Sequence, residues 1–308
     1  MPALALPPSQ GTIRIGTASW TDPTLIACGR FYPPHAQDAA SRLRHYASQF
    51  PLVEVNSSYY AIGSPMVAHQ WCMRTEAAFR FHVKAFRLFT GHAAPTQVLG
   101  KTLQREFFAE APASIFYDDL PKDLQSILWS QFLESIEPLR LAGRLDTVHF
   151  QFAPWVRPGP RSTRRLEDIV HRMQGHTLCV EWRHQDWLGD GQRQRTLDWQ
   201  RELGVAHTVV DSPTGFSNSV PAVWTTTHPD LAIVRLHGRN AHTWQHRGAA
   251  SSGRFMYDYT EAEMAELAKH IRRLAQSIER THVVLNTNYQ DQGIRNARRL
   301  TDAVTRHA

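Results

Sequence analysis

Eight short runs rich in β-branched and aromatic residues alternate with segments of helical spacing along this chain, and that alternation limits the fold more than any other feature. The runs cover residues 12–17, 52–56, 79–84, 147–152, 177–183, 205–211, 231–237 and 282–288. Between them, apolar residues recur at helical intervals over 36–50, 65–76, 122–141, 162–174, 193–203, 261–278 and 292–304, and only the sixth crossover lacks a clear helix. Thr260 followed by Glu263 predicts a capping box at the start of one of these helices. Strands that alternate with helices form a mostly parallel sheet, and eight such units favour closure into a barrel over an open, doubly wound sheet. Gly11 and Gly16, the glycines nearest the first strand, fit neither a dinucleotide-binding nor a phosphate-loop spacing, which weakens the open-sheet alternative. The expectation is one α/β domain, a (β/α)8 TIM-like barrel over residues 12–306, with 1–11 as a flexible N-terminal segment. Three stretches, 87–121, 212–230 and 238–259, are too long for plain connectors and would stand on the C-terminal face as a wall or lid.

Side chains alternate between the two faces of a strand, so residues two apart share a face. The run 177–183 ends with Glu181 and Arg183 on one face, and most of the other strands also carry polar residues near their C-terminal ends. Parity sets Glu54 and Asn56 against Val53 and Val55, Lys84 against Val83, and Gln151 against Phe150 and Phe152. It aligns Asp211 with Val209, Arg235 and His237 with Ile233, and Asn286 and Asn288 with Val284. In a closed barrel all of these converge on one cavity at the mouth. Arg14, Arg80, His82, His149 and His207 would lie lower, as a polar core whose buried charges are paired. Trp20, Tyr59, Trp155, Trp187 and Trp244 follow strands closely and are candidates for packing against a sugar or base.

Composition excludes several classes. With 308 residues, 42% of them hydrophobic and 20% charged, the chain can bury a sizeable core. No run approaches the ~18 apolar residues of a membrane span, and residues 1–10 have neither a basic start nor a long apolar stretch, so a cytoplasmic protein without membrane contact is expected. Cys28, Cys72 and Cys179 have no paired spacing, which argues against a disulfide framework or a zinc ribbon, and Cys179 reads as a barrel-interior residue. A net charge of +6 favours an anionic partner. His242 and His246 are four apart, but the glycine and serine around them indicate a loop rather than a zinc helix. Ser19 and Ser57 lack the strand-turn-helix glycines of a serine hydrolase.

The residues also resemble a known family. Ile13-Arg14-Ile15-Gly16-Thr17-Ala18-Ser19-Trp20, Val53-Glu54-Val55-Asn56-Ser57-Ser58-Tyr59-Tyr60 and Phe79-Arg80-Phe81-His82-Val83-Lys84 are similar to stretches of the family called domain of unknown function 72. So are Val180-Glu181-Trp182-Arg183-His184, Val234-Arg235-Leu236-His237-Gly238-Arg239, Tyr257-Asp258-Tyr259 and Asn296-Ala297-Arg298, in the same order over nearly the whole chain. The resemblance implies a TIM-like barrel and no settled activity. The chain departs from the family where many members have two adjacent asparagines after the last strand; here the order is Asn286-Thr287-Asn288-Tyr289. Asn286 matches the family pattern, and Asn288 enters by parity alone.

Three classes of function fit this inventory. The first is an enzyme using general acid/base chemistry on a small anionic or phosphorylated substrate, such as a hydrolase, lyase or isomerase. In that reading Glu181 leads proton transfer with Glu54 or Asp211 assisting, and Lys84, Arg183 and Arg235 hold the anion. Asn56, Tyr59, Gln151, His237, Asn286, Asn288 and Trp20 complete the substrate set. No cofactor is named by the sequence and no metal ligand is assigned. The second class is a metal-dependent phosphodiesterase or sugar isomerase with Glu181, Asp211 and His237 as ligands, although the cationic neighbours oppose a metal. The third is a non-catalytic nucleic-acid-binding protein, for which steep salt dependence would speak. A retaining glycosidase would need Glu54 and Glu181 to face each other at about 5 Å.

Overall fold

The computed structural model describes residues 4–5, 11–245 and 251–306. Its principal strands are β1 (Thr12–Thr17), β2 (Leu52–Val55), β3 (Arg80–Lys84), β4 (Leu145–Gln151), β5 (Leu178–Glu181), β6 (Ala206–Asp211), β7 (Leu231–Leu236) and β8 (Arg280–Leu285). Each pairs in parallel with the next, β8 pairs with β1, and the sheet closes into a barrel. Seven main helices surround it: α1 (Ala39–Gln49), α2 (Pro65–Met73), α3 (Lys122–Leu141), α4 (Pro160–Arg172), α5 (Arg193–Glu202), α6 (Glu261–Ala275) and α7 (Gln292–Thr305). The sixth crossover, residues 212–230, contains no helix, as its sequence predicts. The capping box at α6 is present, with Thr260 accepting from the Glu263 amide and Glu263 accepting from the Thr260 amide.

Apolar strand residues of one parity, among them Val53, Val55, Phe81, Val148, Phe150, Val180, Val234 and Leu236, pack outward against the helices. They meet Phe132 and Leu139 of α3, Leu267 and Ile271 of α6 and Leu300 of α7, all fully buried. Burial of each such side chain stabilises the fold by ~1.5–3 kcal/mol, so the outer layer, not the barrel interior, carries most of the apolar core.

The seam between β1 and β2 is joined by one register pair, Thr17 with Val53. Gly16 permits this closure: a Cβ there would stand 2.0 Å from the Leu52 carbonyl oxygen. Because pairing with β2 occurs only at the top of β1, its lower edge is open, and Leu4–Ala5 covers it by pairing antiparallel with Ile13 and Thr12. Residues 1–3 and 6–10 of the N-terminal segment lie outside the described residues.

Register decides which side chains point inward, since residues paired across parallel strands share a face. Glu54 pairs with His82, Lys84 with His149, Gln151 with Glu181, His149 with Cys179 and Arg235 with Val284, and all of these face the interior. Cys179 is packed there with Ala206, Leu231 and Ile233, as expected. One strand reads differently from its sequence. Arg235 pairs with Val210, whereas Asp211 pairs with Leu236 and His207 with Val180, so Asp211 and His207 point outward. The interior of β6 is instead Ala206, Thr208 and Val210. Parity places Asp211 inside with Val209, on the pattern of the other strands, where polar residues mark the inner face; in β6 the polar residues His207 and Asp211 lie on the outer face instead, and only register reveals it.

A candidate ligand pocket at the barrel mouth

The polar interior is built in three tiers. At the bottom, a bulge in β4 makes Asp146 an extra residue between the partners of Phe81 and His82. Its Oδ2 lies 3.0 Å from His282 Nδ1, and its Oδ1 accepts from Arg280 at 2.9 Å. His82 Nε2 meets His282 Nδ1 at 2.9 Å, and Arg14 lies 3.4 Å from His282 Nε2. Among the described residues these three, His82, Asp146 and His282, form the one group with metal-like spacing. Arg14 can only donate, so His282 Nε2 accepts and Nδ1 donates to His82 Nε2, with Asp146 Oδ2 close by but without a hydrogen bond among the described residues. The cluster is flanked by Arg14, Arg80 and Arg280, whose charges oppose a metal there and fit a structural role. Burial holds His82 down at about 3, so it is neutral at ordinary pH. Arg80 is only partly buried and turns back to the Ala77 and Phe79 carbonyls.

The middle tier is centred on Arg235, which is fully buried. One guanidinium nitrogen donates to Glu181 at 2.5 Å and to Gln151 at 3.2 Å, and the other donates to Glu54 at 2.7 Å. His149 lies between the same carboxylates, 3.2 Å from Glu54 and 3.4 Å from Glu181. It therefore belongs to this tier and not to the lower core where parity had set it. Glu181 is also approached by Arg183 at 3.0 Å and His237 at 3.2 Å. Asn286 Nδ2 donates to His237 Nδ1 at 2.8 Å, which leaves the His237 proton on Nε2, facing Glu181. Burial alone would raise the pKa of both carboxyls; Arg235, with His149 and Lys84 at Glu54 and His237 at Glu181, overrides it and holds both well below the usual range. Burial also lowers His237 to about 3.

Above this tier opens a cavity of about 280 Å³ lined by Asn56, Tyr59, Tyr60, Lys84, His92, Gln151, Pro154, Trp155, Arg183, Arg254, Phe255, Asn286 and Asn288. Lys84 has its Nζ 4.5 Å from the centre of the Tyr59 ring and no hydrogen-bond partner among the described residues. Burial, then the neighbouring Arg235, lower its pKa to about 8, with Glu54 and Glu181 opposing. Arg183 and Arg254 lie over the Trp244 ring from 5.0 and 4.7 Å. Burial, then Arg183, lower Arg254 to about 10. His92, lowered to about 3 by burial and then by Lys84, adds no charge. Lys84, Arg183, Arg235 and Arg254 thus stand against Glu54 and Glu181, and the excess is positive.

Of the residues marked in the sequence, Asn56, Tyr59, Lys84, Gln151, Arg183, Asn286 and Asn288 line the cavity, and Glu54, Glu181, Arg235 and His237 form the tier below it. Among the aromatic candidates Trp155 lines the cavity, whereas Trp187 is buried in a stack with Trp182, ring centres 3.7 Å apart. Two of the residues assigned to catalysis or binding also stay away from the site. Asp211, turned outward by register, accepts from Arg239 at 2.9 Å and from the Tyr259 hydroxyl at 2.7 Å. The proposed metal set of Glu181, Asp211 and His237 is therefore split between opposite faces of the sheet. Trp20 is buried against Trp71, ring centres 5.7 Å apart at right angles, beside α2. Parity could not find His92, Arg254 and Phe255, because they lie in the long loops 87–121 and 238–259, where no periodicity fixes direction. Those two loops do wall the mouth. The third, 212–230, flanks β6, where Thr227 accepts from the His207 amide, and meets the wall through Asn218, which accepts from Trp244. Residue 246, the second of the paired loop histidines, and residues 249–250 lie outside the described residues.

Comparison with known proteins gives a consistent answer. Residues 14–308 match the family model described as "Protein of unknown function DUF72". The chain is 29% identical over 279 residues to the UPF0759 protein YunF of Bacillus subtilis, covering 90% of this chain and 89% of that protein. It is 24% identical over 202 residues to the UPF0759 protein YecE of Escherichia coli K12, covering 65% and 59%. Among solved structures, a DUF72 family protein from Enterococcus faecalis V583 superposes with a TM-score of 0.76 at 23% identity over 95% of each chain. Another from Thermotoga maritima MSB8 gives 0.71 at 25% identity over 94% and 98%. No helix among the described residues is long and apolar enough to cross a membrane.

Proposed function

The chain belongs to the DUF72 family of proteins of unknown function, and from that premise, which fixes a barrel but no chemistry, we propose that the mouth pocket binds a small anionic substrate and exchanges a proton with it through Lys84. The observation that carries this reading is the unpaired Lys84 ammonium, held among Arg183, Arg235 and Arg254 while both nearby carboxylates are committed to Arg235. An anion that enters here finds cations whose cost of burial has already been met by folding, and guanidinium groups bind planar oxyanions through two parallel hydrogen bonds. Glu181 and Glu54, expected from sequence to move protons, act in this reading as counter-ions, since they stay ionised throughout ordinary pH. Lys84, near pH 8, has the pKa that general acid/base chemistry uses. A retaining glycosidase is disfavoured because the Arg235 guanidinium occupies the space between the two carboxylates.

The test is ligand-induced thermal stabilisation across phosphorylated metabolites, carboxylates, sugars and short oligonucleotides, with Arg183→Ala and Lys84→Met as controls. A rise of several degrees with a small anion, lost in both variants, is expected by mass action. Binding confined to oligonucleotides and unaffected by either substitution would overturn the reading in favour of a nucleic-acid module.

A further inference from the structure

A second cavity of about 450 Å³ adjoins the mouth pocket, and Trp155 is a wall of both. The indole is fixed by donation from its Nε1 to the Gly91 carbonyl at 3.1 Å and by an edge contact with His92, 5.7 Å between ring centres. Trp155 remains 58% exposed, and Phe116 on the same cavity is 43% exposed. Two large aromatic side chains left open to solvent on one small concavity call for a partner, because such surface is normally covered or functional.

The charges of the two cavities differ. In the mouth pocket cations exceed carboxylates. Three arginines line the second cavity against Asp118 and Asp119: Arg161 and Arg165 both pair with Asp118, and Arg157 lies 3.6 Å from Asp186, which is outside the lining, so the three cations are balanced only when that neighbouring carboxylate is counted. A neutral, aromatic-walled cavity that continues from a cationic one suits a ligand with two unlike ends.

We propose that the substrate is an anion carrying an aromatic ring, with the anionic group at Lys84, Arg183 and Arg254 and the ring in the second cavity against Trp155 and Phe116. This rests on the anion-binding reading of the mouth pocket and adds the chemical class of the substrate's other half. Aromatic rings stack or meet edge to face with a net attraction beyond their buried area, which suits Trp155 and Phe116 to a planar ring more than to an alkyl chain.

Isothermal titration with inorganic phosphate and with phenyl phosphate, at low ionic strength, separates the two claims. Wild type is expected to bind phenyl phosphate tighter by about tenfold, the scale of one aromatic contact. Phe116→Ala, an exposed position whose loss does not threaten folding, should abolish that preference and leave phosphate binding unchanged, while Arg183→Ala weakens both. Equal affinity for the two probes, or a preference that survives Phe116→Ala, would overturn the aromatic subsite and leave the anion pocket standing. Binding of neither probe would overturn both.

Discussion

The ammonium of Lys84 stands 4.5 Å above the ring of Tyr59, and that ring face is the only partner the described residues offer it. A cation–π contact compensates part of the cost of burial and leaves all three N–H groups free to meet a ligand. Burial holds the Tyr59 hydroxyl up at about 12, so the ring stays neutral over the working range.

A charged lysine kept this way weakens the fold. The folded pKa is about 8 and the ordinary value 10.5, so between these values the unfolded chain holds more protons and stability rises with pH. Below pH 8 the full cost is present. Lys84→Met should therefore stabilise the protein at pH 7 by on the order of 1–3 kcal/mol, with the gain shrinking toward pH 10, while removing anion binding. Urea melts at pH 7 and 10 check this; a destabilised variant at pH 7 would refute it.

Anion affinity should follow the same proton. Bound anion favours charged Lys84, so affinity is flat below pH 8 and falls as pH rises beyond it. Titrations at pH 7 and 9.5 decide, and an affinity unchanged between them would remove Lys84 from the binding group.

Arg235 is the residue on which the interior depends most. Its replacement by Met leaves Glu54 and Glu181 buried without their shared partner, which should cost ~3–5 kcal/mol. Arg235→Lys should recover little, because one ammonium cannot span both carboxylates as the planar fork does. The wild-type carboxylates contribute stability that is complete above the ordinary value of 4.5 and is lost as pH falls toward their depressed folded values. Chemical denaturation of the two variants measures the first claim and acid titration of wild type the second.

Asp211 offers a contrast. Asp211→Asn weakens the contacts to Arg239 and Tyr259, for an expected loss of ~1–3 kcal/mol, and should leave ligand affinity at the mouth unaltered. A stable variant with impaired binding would show that this carboxylate does reach the site.

Closure should be equally sensitive at Gly16. Gly16→Ala forces a methyl into the Leu52 carbonyl at the one point where β1 joins β2, so soluble, cooperatively melting protein is not expected. Normal melting of that variant would mean that the seam can open without cost.

The sequence alone determined the barrel, because eight strands, seven of them followed by a change from a period of two to a period near 3.6, are local properties of each segment. It also determined that Glu54, Lys84, Glu181, Arg183, Arg235 and His237 share an interior, because one face of each of their strands is clearly apolar and the other polar. On β6 each face carries valine and polar residues together, and only pairing with β7 decided that Asp211 turns away and Val210 turns in. The commitment of both carboxylates to Arg235 was likewise beyond the sequence, since it joins residues 181 and 54 positions apart in the chain. Arg254, His92 and Phe255 come from loops without periodicity, where direction is set by what the loop packs against and not by any repeat along it.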